Sequence, residues 1–145
     1  MPTVRDVLST KSAKVHTTRP SSTVLDAVQL MNQYGIGALV VMDAGRVVGM
    51  FTERDVLRRV VGADRRPADM FVAEVMSTEV VFIGPQEDID DVRTTLKNRR
   101  IRHLPVCQQD GDLVGLVSMG DLNAFEASNR EATIHFLNEY IYGRV

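Results

Sequence analysis

The sequence predicts an α/β (α+β) fold built from two copies of one β-α-β-β-α unit, with a further helix at the C-terminus. Three observations predict it. The chain matches itself when shifted by 65 residues, both copies carry strand and helix patterns in the same order, and both end on the same helix-capping motif. With 145 residues and 44% hydrophobic content, the chain can bury a core without disulfides or metal ions.

The internal repeat organises the chain, because a repeat of this length indicates a unit that buries its apolar face against its copy. The predicted organisation is repeat 1 over residues 3–61, a polar linker over 62–71, repeat 2 over 72–124 and a C-terminal helix over 125–145. The matching pairs are Pro20 and Pro85, Asp26 and Asp91, Ile36 and Ile101, and Leu39 and Leu104 at an offset of 65, and Gly49 and Gly115, Thr52 and Ser118, and Asp55 and Asp121 at an offset of 66.

Each copy begins with a short apolar strand, around Val15 in the first and over 80–83 in the second. A turn containing proline then leads into an amphipathic helix, because apolar residues follow helical spacing over 24–31 and over 89–96. Two apolar runs separated by a turn with Asp and Gly come next, and they predict paired strands. These runs are 38–42 with 47–51 in the first copy and 104–107 with 113–117 in the second.

Further helices are predicted at the edges of the repeats. Residues 4–8 and 72–76 correspond at an offset of 68 and are typical of a helical turn leading into each copy. At the other end, Thr52 and Ser118 are each followed three residues later by an aspartate, which is a capping-box arrangement. The tail carries one apolar stripe, which either packs in the core or forms a subunit interface. The stripe is Thr133, Phe136, Leu137, Tyr140 and Ile141, before Gly143 ends the helix.

Composition excludes several function classes. With 17 basic and 19 acidic residues, the net charge of -2 lacks the basic excess of nucleic-acid-binding proteins. The longest apolar run, 38–42, is far below the roughly 20 residues that cross a bilayer. The first 14 residues lack the apolar stretch of a secretory signal. The single cysteine, Cys107, lies in an apolar run and is expected to be a buried, inert thiol. A cytoplasmic protein is therefore expected.

The two copies of the last strand-to-helix junction, Gly49–Asp55 and Gly115–Asp121, strongly resemble the motif of the CBS (cystathionine-β-synthase) domain family. The run 102–106 also resembles the family's second-strand motif, and the resemblance covers about residues 3–124. It implies a Bateman module, in which two repeats related by a pseudo-twofold axis place their sheets face to face and leave two clefts. It also implies a homodimer and a regulatory adenosine-containing ligand such as AMP, ADP, ATP, NAD or S-adenosylmethionine.

The candidate ligand contacts begin with two carboxylates. Asp55 and Asp121 can each accept charge-assisted hydrogen bonds from both ribose hydroxyls, beside Thr52 and Ser118. Both lie in the first turn of a predicted helix, where free N–H groups also favour a phosphate. Capping alone is the competing interpretation, because Thr or Ser with a following acid caps a helix without any ligand.

By resemblance, each adenine slot combines residues of both repeats. The first joins Thr17, Thr18, Ile36, Gly37 and Ala38 with Leu116, Ser118 and Asp121. The second joins Ile83, Ile101, Arg102 and His103 with Met50, Thr52 and Asp55. The slots are expected to differ, because Gly120 allows close approach to the backbone in the second copy where Arg54 stands in the first. Gly35 is expected only to end a helix, whereas Gly37 either ends it or admits a ligand.

A basic cluster closes the second copy's first helix. Lys97, Arg99 and Arg100 either hold phosphates or offset the helix dipole. Arg102 and His103 are expected on the following strand, on opposite faces, so only one of them faces a given cleft.

Catalytic signatures are missing from the sequence, which has no phosphate loop and no cluster of metal-binding cysteines or histidines. The sequence therefore predicts a non-catalytic sensor that acts on an unidentified protein and needs no catalytic cofactor. The alternative is a ligand-independent scaffold that docks an enzyme or a transporter.

Overall fold

The computed structural model describes residues 1–11 and 14–142, without the side chains of residues 131, 132, 136 and 139–142. It forms two compact units, and neither coincides with one sequence repeat. The sheet unit comprises Ala13–Gly84 and Leu104–Leu116. The helical unit comprises Met1–Ser12, Pro85–His103 and Val117–Val145. Both units therefore mix segments of the two repeats.

The sheet unit is built on a three-stranded sheet in the order β1-β2-β3. Strand β1 (Thr17–Thr18) runs parallel to β2 (Ala38–Asp43), which pairs in antiparallel register with β3 (Arg46–Thr52). Between β1 and β2 the chain forms α2 (Val24–Tyr34), which the Thr23 side chain caps by accepting from Asp26 N. This arrangement confirms the predicted helix and strand pair of the first copy.

A fully buried cluster fills one face of this sheet, where α2 packs on alternate strand residues. Its members are Val24, Ala27, Met31, Leu39, Val41, Phe51, Val60, Met70, Val72 and Val75. On the other face, Ala38, Val40 and Met50 are buried against Val80, Leu113 and Leu116, which come from beyond the first repeat. The sheet of the first copy is thus covered on both faces, as its unbroken apolar strand β2 requires.

The rest of the sheet unit departs in places from regular structure. After α3 (Glu53–Asp55) the chain continues as a π-helical segment, Val56–Val61, then a 3-10 turn, Pro67–Asp69, and α4 (Val72–Val75). Strands β4 (His103–Cys107) and β5 (Leu113–Ser118) form a two-stranded sheet, and Ile83 adds one parallel bridge to Val106. The second predicted strand pair is therefore also confirmed.

The helical unit gathers three helices. Both α1 (Val4–Thr10) and α5 (Ile89–Arg99) pack against α6 (Met119–Tyr142). Arg93 joins α5 to α6, because its Nη1 donates to Asn123 Oδ1 at 2.9 Å and its Nη2 lies 2.9 Å from Glu126 Oε1. The unit's buried apolar side chains are Val4, Val7, Ile89, Val92, Leu96, Val117 and Leu122. The predicted lead-in helix and the second amphipathic helix are confirmed here.

Several expectations about the elements were wrong. The first strand is Thr17–Thr18 rather than around Val15, and the segment 80–83 contributes only the Ile83 bridge, because Val80 N turns back to the Thr78 carbonyl. Within the segment taken as a polar linker, Met70 is buried in the core cluster, since its apolar side chain gains more from burial than from solvent.

The tail does not form a separate helix after residue 124, because no Gly or Pro follows Gly120 within α6. Thr133 is exposed and Leu137 is 46% exposed, so neither packs in a core. Phe136, Tyr140, Ile141 and Gly143 lie outside the described side chains. Cys107 is half-buried rather than buried, and desolvation raises the pKa of its thiol.

Candidate functional site

The first junction, in the sheet unit, is a closed capping box at the start of α3. Asp55 Oδ2 accepts from Thr52 N at 2.9 Å and from Thr52 Oγ1 at 3.3 Å, and Asp55 N donates back to that hydroxyl. The aspartate is only 7% exposed. No ion pair to Asp55 is found among the described residues, and its burial is tolerated because these donors satisfy the carboxylate. The predicted capping role of Thr52 and Asp55 is confirmed.

The second junction, in the helical unit, is a capping box joined to an ion pair. Asp121 Oδ2 accepts from Ser118 N at 2.9 Å, and Asp121 N donates to Ser118 Oγ at 3.0 Å. The same oxygen lies 2.8 Å from Lys11 Nζ. Burial raises the pKa of Asp121, but the hydrogen bonds from Lys11 and Ser118 outweigh it and hold the pKa below its ordinary value. The carboxylate is therefore ionised at neutral pH.

Both aspartates commit one oxygen to the cap. Within the described parts of the chain, neither Asp55 Oδ1 nor Asp121 Oδ1 takes part in a hydrogen bond. A carboxylate offers about four lone-pair positions, so acceptor capacity remains on each. The geometry can thus cap the helix and accept hydroxyl groups at the same time.

One backbone bond is common to the two junctions. Gly37 O accepts from Glu53 N at 3.0 Å in the sheet unit, and Arg102 O accepts from Met119 N at 3.1 Å in the helical unit. Each bond ties the residue before the second strand to the first amide of the junction helix. The structure therefore brings Gly37 beside the Asp55 junction and Arg102 beside the Asp121 junction.

The glycines at the junctions differ in what surrounds them. A Cβ at Gly37 would lie 3.0 Å from Glu53 Oε1, so the missing side chain makes room for that carboxylate. A Cβ at Gly120 would meet only Ser118 Oγ, at an ordinary 3.6 Å. Gly120 therefore leaves open space at the start of α6. Gly35 ends α2 in the left-handed conformation, with φ of 61°, as expected.

Thr17 and Thr18 form the whole of β1, opposite Val40 and Val41. Thr17 is exposed, whereas Thr18 is 8% exposed. Both line an open polar cavity of about 840 Å³ with the following loop. Its other lining residues are Arg19, Pro20, Ser21, Ser22, Asp26, Ala27, Leu30, Met42, Asp43, Ala44 and Gly45.

The apolar candidates are mostly structural. Ala38 and Met50 are buried in the sheet unit, with Leu116 packed against them, and Ile36 packs on the core cluster beside α2. Ile83 is buried and hydrogen-bonded on both sides of its bridge, to Pro105 and Cys107. Ile101 is half-buried, with its N–H bonded to the Leu96 carbonyl.

The basic candidates lie on the surface. Strand β4 begins at His103, so the expectation that Arg102 lies on that strand was wrong; Arg102 stands in the bend before it and is exposed. Lys97 and Arg99 occupy the last turn of α5, where they offset the dipole, and Arg100 ends that helix with φ of 54°. Arg54 is exposed in the first turn of α3.

Sequence reasoning missed Lys11. It lies at the end of α1, 110 residues before Asp121 in sequence. No local motif marks such a pair, because the contact depends on α1 packing against α6. Lys11 is therefore a new member of the Asp121 junction.

Both junctions lie in segments that match a known protein family. The CBS domain family model matches residues 4–62 and 72–127, and each match includes one junction. The chain belongs to the CBS domain family. The family and fold predicted from the two junction motifs are confirmed.

Individual relatives agree with this assignment. The chain is 37% identical over 132 residues to the CBS domain-containing protein YhcV of Bacillus subtilis, covering 91% of each protein. The CBS-domain containing protein ATU1752 of Agrobacterium tumefaciens is 32% identical, with a TM-score of 0.80 over 86% of this chain and 99% of that one. The CBS domain pair of protein MJ0100, solved with 5-methylthioadenosine and S-adenosyl-L-methionine, is 20% identical with a TM-score of 0.77, over 89% and 98%.

Among the described residues, no group of three or more His, Cys, Asp or Glu residues is placed to hold a metal ion. No helix in the described ranges is long and apolar enough to cross a membrane.

Proposed function

We propose that this CBS pair is a regulatory, non-catalytic sensor that binds an adenosine-containing ligand. The observation that carries the proposal is the pair of junction aspartates, each held by its cap through Oδ2 while Oδ1 remains available. A ribose presents two adjacent hydroxyl donors, and a fixed carboxylate can accept both. The cap holds the carboxylate in place before the ligand arrives, which lowers the entropy cost of binding.

The ligand is proposed to be AMP, ADP, ATP or NAD, or another adenosyl compound. The MJ0100 domain pair was solved with two adenosyl compounds, which supports this class. An adenine ring needs apolar walls and a few backbone groups at its edge, as small-ligand sites commonly provide. In the sheet unit the residues proposed for these walls are Ile36, Ala38 and Met50.

We further propose that the protein works as a homodimer in the cytoplasm, and that ligand binding shifts a conformational equilibrium that a partner protein reads. Exposed Ile134 and Leu137 on α6, at 58% and 46%, support an interface at the end of that helix. The lone Cys107 suits a reducing compartment. Light scattering should give twice the mass of one chain at micromolar concentration.

The test is isothermal calorimetry of the full chain with AMP, ADP, ATP, NAD and S-adenosylmethionine. At least one should bind, and at 100 times its dissociation constant it should stabilise the fold by about 2.7 kcal/mol. Asp121→Ala should lower the affinity about 10- to 150-fold, because a hydrogen bond to a charged group contributes about 1.5–3 kcal/mol.

Asp88→Ala is the matched control. Asp88 caps α5 by accepting from Asp90 N at 2.8 Å, outside either junction. Its loss should cost about 1 kcal/mol of stability and leave affinity unchanged. If none of the five compounds binds, and Asp121→Ala loses stability alone, the protein is a ligand-independent scaffold and the proposal is wrong.

A further inference from the structure

The Asp121 junction contains a charge that a ribose site does not need. Lys11 Nζ lies 2.8 Å from Asp121 Oδ2, and the two side chains are only 25% and 24% exposed. An ammonium group has three donors and no acceptor. It can therefore hold the carboxylate while it also donates to another anion, and it cannot replace the carboxylate as an acceptor for ribose hydroxyls.

Electrostatics give this pair a consequence for ligand choice. A nucleotide held through its ribose hydroxyls also carries a 5′-phosphate, and a carboxylate that is not neutralised repels that like charge. Lys11 neutralises Asp121 and supplies a donor for a phosphate oxygen. A neutral nucleoside has no anionic group for the ammonium to hold, so it gains nothing from Lys11.

The backbone of a second basic residue lies beside this junction. Arg102, whose carbonyl accepts from Met119 N, adds a second cation on the residue beside the start of α6. Gly120 leaves open space in the same turn. The dipole of the 24-residue helix α6 adds partial positive charge at the same end.

The first junction has no equivalent lysine in sequence. At the offset of 68 that relates the two lead-in segments, Ser9 matches Ser77 and Thr10 matches Thr78, but Lys11 matches Glu79. The two lead-ins therefore end in opposite charges. The residue corresponding to Arg102 in the first copy is Gly37. The contribution of a lysine at this position accordingly belongs to the Asp121 junction.

We infer that Lys11 makes the Asp121 junction selective for adenosine ligands that carry a phosphate, by neutralising Asp121 and donating to the phosphate. The inference rests on the proposed function, which assigns the ribose hydroxyls to Asp121. Lys11 is in this view a specificity-determining contact, and not merely a link between α1 and α6.

The experiment compares AMP with adenosine, which differ only in the phosphate. Calorimetry is carried out on the full chain in an Asp55→Ala background, so that only the Asp121 junction is intact. The Asp55→Ala protein, which is the parent for the variants below, should bind AMP more tightly than adenosine. Lys11→Met should weaken AMP binding by about tenfold or more, as loss of a charge-assisted hydrogen bond requires, with adenosine affinity unchanged or higher. Lys11→Arg should keep the preference.

Arg130→Met is the control for net charge, because Arg130 lies exposed on the same helix, α6. It should leave the AMP-to-adenosine ratio unchanged. That ratio is the decisive readout, because partial unfolding of a variant lowers both affinities equally. An unchanged ratio in Lys11→Met, with a loss of stability alone, would make Lys11 structural and overturn the inference while the proposed function stands. If neither the Asp55→Ala protein nor wild type binds AMP or adenosine, the inference is wrong, and the proposed function fails as well when wild type also binds none of ADP, ATP, NAD and S-adenosylmethionine.

Discussion

The two junctions share a motif but differ in what fixes them. In the first, the strand residue before the cap is the fully buried Phe51, while Val56 after the aspartate is only half-buried. In the second, the corresponding strand residue is the smaller Val117, and the helix residue after the aspartate, Leu122, is fully buried. The large buried side chain next to the cap therefore lies on the strand in the first junction and on the helix in the second.

Their carboxylates differ as well. Asp55 is buried and hydrogen-bonds within its own box, whereas Asp121 is partly exposed and shares its oxygen with Lys11. The local motif determines the cap in both places, because the capping bonds span only three residues. Neighbours that are distant in sequence then decide how buried, and how charged, each aspartate becomes. Two copies of one motif can therefore differ in burial and in charge.

The largest expected effect concerns the large buried side chain next to each cap. Phe51→Ala should lower the free energy of unfolding by about 3–5 kcal/mol, and Leu122→Ala by about 2–5 kcal/mol, because each leaves a cavity in a packed core. Val56→Ala should cost about 1 kcal/mol, since its methyl groups are partly in solvent already. Urea unfolding measures all three. A Val56 variant less stable than the Phe51 variant would contradict the comparison.

A smaller change in stability, of opposite sign in the two copies, is expected at the C-terminal ends of α2 and α5. Gly35 ends α2 with φ of 61°, and Arg100 ends α5 with φ of 54°. Left-handed backbone costs about 1–2 kcal/mol in a residue that has a Cβ. Gly35→Ala should therefore destabilise by about 1 kcal/mol, without a clash, because no described atom lies within 4 Å of the new Cβ.

The reciprocal change, Arg100→Gly, should stabilise the protein by up to about 1 kcal/mol, because it removes the Cβ penalty. Thermal melting of both variants checks the pair of signs. If both substitutions shift the melting temperature in the same direction, backbone conformation does not explain the difference between the two helix ends.

The smallest effect is the pH dependence of the Lys11–Asp121 pair. The pKa of Asp121 in the folded protein lies below the ordinary value for an aspartate. As the pH falls, the unfolded chain therefore takes up the proton first. The stabilisation is present above that ordinary value and is lost as pH drops through the folded pKa. Lys11→Met should cost about 0.2–1 kcal/mol at pH 7. The difference from wild type should shrink toward zero below the folded pKa.

Arg66→Met provides the comparison for this measurement. Arg66 Nε lies 3.7 Å from Asp69 Oδ2. The two side chains are 85% and 69% exposed, so water screens the pair. Its removal should change stability by less than the error of a denaturant titration at either pH. A Lys11→Met deficit that is the same in acid and at neutral pH would show that Asp121 is not the group responsible.

The elements with strong local patterns were predictable from the sequence. Helical spacing over 24–31 anticipated α2, and two apolar runs around an Asp-Gly turn anticipated β4 and β5. The boxes at Thr52 and Ser118 were predictable for the same reason. Each of these features depends on residues a few positions apart, and the duplication made each pattern visible twice.

Other features depend on distant neighbours. Met70 looked like linker because Gly and Pro flank its segment, yet it is buried with Phe51 and Met31. A strand was expected around Val15, but the strand in the structure is Thr17–Thr18. Its position and length depend on pairing with Val40 and Val41, which lie more than 20 residues away in sequence.

The sequence by itself determined the duplication, the order of elements, the CBS motif and the two capped aspartates, because all of these follow from short-range spacing. Only the tertiary structure decided that Lys11 meets Asp121 across 110 residues and that Asp55 is buried instead. Ion pairing and burial depend on which helices pack together, and packing is a property of the folded chain as a whole.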